Sequence, residues 1–149
     1  MALDMAKYRR IFLEEAGDHL AEISRALLGL EKEMANAEAI DTLFRMAHSI
    51  KSMAASLGYD AVADLSHRLE DRMEGVRSAG RVRSQEELAL LFRSLETLEA
   101  MVDAVSREEE PVPADAALLA QLTREAGESA GADPGSPDPV GGEPKKARS

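Results

Sequence analysis

The sequence predicts an all-α fold: an antiparallel up-down four-helix bundle with a short fifth helix and a disordered C-terminal tail. Three observations predict it. Apolar residues recur at three- and four-residue steps through four long segments. Gly and Pro are scarce before the last quarter of the chain. Aromatics are only 3% of the residues, with no Trp, in a composition rich in Ala, Leu, Glu and Arg that favours helices over sheets. The 149 residues are 44% hydrophobic and 31% charged, room for one domain of ordinary size plus a tail.

The first helix is expected over about 4–33, with Asp4 as N-cap. Its stripe runs Met5, Tyr8, Phe12, Ala16, Leu20, Ile23, Leu27 and Leu30. A second helix, about 37–57, carries Ile40, Leu43, Phe44, Ala47, Ile50, Ala54 and Leu57 on one face, and Gly58 follows where a left-handed residue would end it. The third begins near Asp60, shows Val62, Leu65, Leu69, Met73 and Val76, and stops around Gly80. The fourth opens with Ser84-Gln85-Glu86-Glu87, a capping-box pattern, and runs through Leu88, Leu91, Phe92, Leu95, Leu98, Val102 and Val105 to the acidic, proline-punctuated stretch 108–113. A short fifth helix at about 114–126 rests on Leu118, Leu119 and Leu122. From Gly127 on, Gly, Pro, Ser and charge leave almost nothing to bury, so 127–149 reads as a flexible linker after a domain over 1–126.

A net charge of −10 argues against nucleic acid as a partner, because phosphate binding needs a basic surface. The absence of Cys excludes disulfides and thiolate metal sites. The opening residues hold no apolar stretch suited to a signal peptide, and no run of about 18 apolar residues could span a bilayer. The expectation is a cytoplasmic domain without membrane insertion.

Chemistry concentrates on the second helix. His48 lies about 110° from the centre of the apolar face, on its shoulder. Lys51 is one turn on, and Ser52 and Ala55 follow, small enough to leave the imidazole open to something large. A ring nitrogen attacks phosphorus only when unprotonated and accessible. It gains from an acceptor on the other nitrogen and from a cation near the phosphoryl oxygens. Lys51 offers the cation. Glu70, one turn after His67 on the third helix, offers the acceptor if the second and third helices are antiparallel neighbours. Taken alone, each residue also fits a solvated surface role, and Glu70 could pair within its own helix. A carboxylate-bridged metal bundle is a third reading, but its E-x-x-H order is reversed here and H-x-x-E occurs once. His19 has no matching partner motif and reads as a surface residue.

Together these residues resemble the histidine phosphotransfer (HPt) domain, in particular that at the N-terminus of CheA-type chemotaxis histidine kinases. The resemblance is carried by Leu43-Phe44-Arg45-Met46-Ala47-His48-Ser49-Ile50-Lys51, by Leu57-Gly58-Tyr59, and by Leu65-Ser66-His67-Arg68-Leu69-Glu70. It extends more weakly from about residue 4 to 126. Ser52-Met53 stands where that family commonly has Gly-Gly, and Leu57 where an aromatic is usual. The resemblance implies that His48 is phosphorylated, that Lys51, His67 and Glu70 support it, and that Glu70 accepts from the imidazole.

With no Gly-rich phosphate loop, the domain is not expected to be catalytic alone. ATP and Mg would be used by a separate kinase domain, and this domain needs no cofactor of its own. The implied partners are a histidine kinase ATP-binding domain and a response-regulator receiver domain, with the fragment itself monomeric. A free-standing phosphorelay protein and a non-catalytic helical adaptor bundle are the alternatives.

Overall fold

The computed structural model describes residues 4–124. The tail expected at 127–149 lies outside the described residues. Among those residues are five helices: α1 (Met5–Lys32), α2 (Ala37–Leu57), α3 (Asp60–Ala79), α4 (Gln85–Ser106) and α5 (Ala116–Thr123). Each boundary has a local chemical cause. Asp4 accepts from the Lys7 amide at 3.1 Å, Asn36 from Ala39 at 3.0 Å, Ser84 from Glu87 at 3.0 Å and Asp115 from Ala117 at 3.0 Å, so four N-termini have side-chain caps. Gly58 ends α2 at φ 80°, and the Tyr59 amide reaches back to the Ala54 carbonyl at 2.9 Å. That is the left-handed stop expected of it.

Short connections force neighbouring helices to run antiparallel. α1 packs on α2, α2 on α3, α3 on α4, and α4 returns to α1, leaving the remaining two pairs diagonal. One end of the bundle is tied by the Val82 amide donating to the Met34 carbonyl at 2.9 Å. At the other end Phe12 meets Tyr59 with ring centroids 4.9 Å apart, and Arg9 pairs with Glu108 at 3.6 Å. The core fills the ring's centre with Phe12, Ile23, Leu27, Leu30, Leu43, Ile50, Leu65, Leu69, Met73, Leu91 and Leu98, all fully buried. Each such side chain contributes about 1.5–3 kcal/mol by leaving water.

The first two members of the expected α1 stripe are not core. Met5 is 46% exposed and Tyr8 is 41% exposed. α1 has 28 residues against 20 to 22 in the other long helices, so its first turns overrun the end of the bundle and find little to cover them. Phe44 is half-buried because its ring forms a platform for the Arg77 guanidinium, 4.0 Å from the centroid.

α5 is shorter than its apolar pattern suggested and sits outside the groove between α3 and α4, burying Leu118 and Leu122. Arg72 fastens it. That guanidinium donates to the carbonyls of Gln121 at 3.3 Å, Leu122 at 3.5 Å and Arg124, the last turn of α5, and pairs with Glu87 at 2.7 Å. Glu87 is only 2% exposed. In an ordinary capping box its carboxylate would return to the Ser84 amide; instead it accepts from the Arg83 amide at 2.8 Å and from the Arg83 guanidinium at 2.6 Å.

Candidate functional site

α2 and α3 are antiparallel neighbours, so the shoulder of one faces the shoulder of the other about halfway along. There His48 Nδ1 lies 2.7 Å from Glu70 Oε2. Lys51 Nζ lies 2.7 Å from the other carboxylate oxygen, Oε1. Glu70 thus holds one α2 residue with each oxygen. Its side chain is 12% exposed, Lys51 27% and His48 56%. The carboxylate is enclosed while the ring edge away from it stays open to solvent.

The electrostatics follow from that enclosure. Burial pushes the Glu70 carboxyl up, but hydrogen bonds from Lys51 and His48, with their positive charge, outweigh it and hold the group below its ordinary value. Glu70 is therefore an anion at neutral pH and can only accept. The proton between the two groups belongs to Nδ1, so a neutral ring carries its lone pair on Nε2, on the exposed edge.

Lys51 was expected to offer a cation beside the ring, with no partner of its own named. It is paired with Glu70, a contact that spacing within α2 cannot reveal because the partner belongs to α3. His67 has its ion-pair partner on its own helix. Its Nε2 faces Asp71 at 3.5 Å, and its side chain is 58% exposed. It lines the groove beside the site together with Lys51, Ser52, Ala55, Ala63 and Asp64. His19 is half-buried on α1. The Glu87–Arg72–Arg83 cluster carried no sequence signal beyond Ser84-x-x-Glu87, because Arg72 joins it only through the packing of α3 against α4.

Among the described residues, no helix is long and apolar enough to cross a membrane. A family model described as Hpt domain matches residues 7–108. The Chemotaxis protein CheA of Bacillus subtilis is 34% identical over 103 residues, 69% of this chain and 15% of that protein. The Chemotaxis protein CheA of Halobacterium salinarum is 30% identical over 101 residues, 68% of this chain and 15% of that protein. The chain thus spans only a small part of the length of these relatives. Among solved structures, the phosphorylated P1 domain of CheA3, in complex with CheY6 from R. sphaeroides, matches with a TM-score of 0.67 and 25% identity. That match covers 78% of this chain and 92% of that one. A bundle of this topology, with these relatives and a model match over most of its length, is an Hpt domain, and the chain belongs to that family.

Proposed function

We propose that this chain is the phosphotransfer domain of a two-component chemotaxis or motility kinase, in which His48 accepts a phosphoryl group from an ATP-dependent kinase domain and passes it to a response-regulator aspartate. One observation carries the reading: Nδ1 of His48 is held at 2.7 Å by an enclosed carboxylate while the side chain is 56% exposed. Nε2 attacks the γ-phosphorus, an N–P bond forms, and the P–O bond to ADP breaks. The ring becomes cationic, and the Nδ1 proton stays shared with Glu70, whose negative charge offsets it. In the second step a receiver aspartate oxygen attacks the same phosphorus and the N–P bond breaks, returning the lone pair to Nε2.

In this reading Glu70 orients the ring, Lys51 fixes Glu70 and adds positive charge near the phosphoryl oxygens, and His67 lines the approach. ATP and Mg belong to the kinase domain, and the receiver domain is the second partner. Support for that partner comes from the related P1 domain, whose structure is a complex with CheY6. The setting is cytoplasmic. The chain does not phosphorylate itself, so the activity is shared with a kinase in the same polypeptide or complex. Incubation with a cognate kinase and labelled ATP tests this, followed by a chase with receiver domain. Labelling is expected to vanish in His48→Gln and to leave the parent on the chase; a His48→Gln chain that labels undiminished would reject it.

A further inference from the structure

Ser52 lies four residues after His48, on the same face of α2, with the two Cβ atoms about 5–6 Å apart. It is exposed and lines the α2–α3 groove beside the site. Side chains on a helix lean toward its N-terminus, so the Ser52 side chain covers the turn that carries His48. Ser56, Ser94 and Thr97 each donate to the carbonyl four residues earlier, at 3.0, 2.9 and 2.8 Å. Among the described residues Ser52 makes no such bond, so its hydroxyl is left as a donor beside the groove it lines. The neighbouring ammonium of Lys51 is already paired with Glu70.

We infer that Ser52 is a phosphoryl-binding residue: its Oγ donates a hydrogen bond to an oxygen of the phosphoryl group carried on His48 Nε2. This rests on His48 being the phosphorylated residue. A phosphoryl dianion is a strong acceptor, and a hydroxyl one turn along the helix meets it from the solvent side without displacing Lys51 from Glu70. Loss of the group to water proceeds through a loose transition state in which the N–P bond is largely broken. A donor that holds the bound dianion therefore slows hydrolysis.

The test uses phosphoramidate, a small donor that needs no kinase. Nε2 forms the N–P bond as the P–N bond of phosphoramidate breaks, and ammonia leaves with the electron pair. The full chain and its Ser52→Ala, Ser52→Thr and Ser52→Val variants are phosphorylated and followed by ³¹P NMR. Thr and Val share a shape and differ in the hydroxyl. Ser52→Thr is expected to keep the parent's resonance and lifetime. Ser52→Ala and Ser52→Val should shift the resonance and hydrolyse about threefold to tenfold faster, the scale of one exposed hydrogen bond to a charged group. Equal lifetimes and resonances in all four chains would overturn the inference. A chain that a kinase labels on His48 but that ignores Ser52 refutes this inference alone. A chain that no kinase labels, yet whose chemically made phosphohistidine responds to Ser52, refutes only the proposed function.

Discussion

At the scale of single residues, Glu70 is the side chain on which the site turns. It faces Nδ1 with one oxygen and Lys51 with the other, both at 2.7 Å. Glu70→Ala removes the ring's orientation but little packing, so the fold should persist while phosphorylation slows by about tenfold to a hundredfold, the usual scale for losing an orienting partner. Initial labelling rates, with circular dichroism as the control for folding, measure this; unchanged rates would mean that the carboxylate does not act on the ring. A second residue sits under strain. Glu108 has φ 60°, and the Glu109 amide donates to the Ala104 carbonyl at 2.8 Å, the same stop that Gly58 makes for α2. A side chain in this left-handed conformation is unfavourable. Glu108→Gly is expected to stabilise the domain by about 0.5–1 kcal/mol in urea unfolding. The ion pair it gives up, to Arg9 at 3.6 Å, is exposed on the Glu108 side and contributes little.

At the scale of elements, α2 and α3 hold the proposed site, and α5 is an appended strap. An eight-residue helix is too short to persist by itself, so α5 depends on Leu118, Leu122 and the carbonyl contacts of Arg72. Arg93 adds a bond to the Gln121 side chain at 2.7 Å. Arg72→Met should release α5 and leave Glu87 buried with one cationic partner fewer. The expected cost is about 3 kcal/mol or more, the range for breaking one side of a buried pair. Hydrogen exchange would show it as lost protection at Leu119 and Arg124, whose amides are bonded in the parent at 3.0 and 3.1 Å. Retained protection there would mean that the two leucines suffice.

At the scale of the whole molecule, stability should depend on acid through two enclosed carboxylates. Burial raises the Glu87 pKa, but hydrogen bonds from Arg83 and the charges of Arg72 and Arg83 outweigh it, so the group stays below its ordinary value of 4.5, as Glu70 does. In the unfolded chain both groups take up protons near that ordinary value; in the fold they resist. The unfolded state therefore binds more protons below it, and stability is fully present above 4.5 and lost as pH falls through the folded values. Urea midpoints should decline below about pH 5. Glu87→Gln should be less stable than the parent at neutral pH, with the gap narrowing on acidification. A gap that stays constant would mean that Glu87 contributes through packing rather than charge.

The sequence by itself determined the bundle, because a stripe of apolar residues at helical spacing states both the element and its buried face. Four such stripes with short connections leave few other ways to close a core. It also determined the stop at Gly58, which a φ of 80° requires, and the candidate residues His48, Lys51, His67 and Glu70. Periodicity could place His48 on a shoulder, but it could not say what stood opposite. Only the tertiary structure decided that Lys51 serves Glu70, that His67 turns to Asp71 on its own helix, and that Met5 and Tyr8 overrun the bundle. It alone joined Arg72 to Glu87 and to the end of α5. The physical reason is common to all of these. Spacing along one helix fixes direction around that helix, whereas partners across a groove depend on the register and length of two helices packed together.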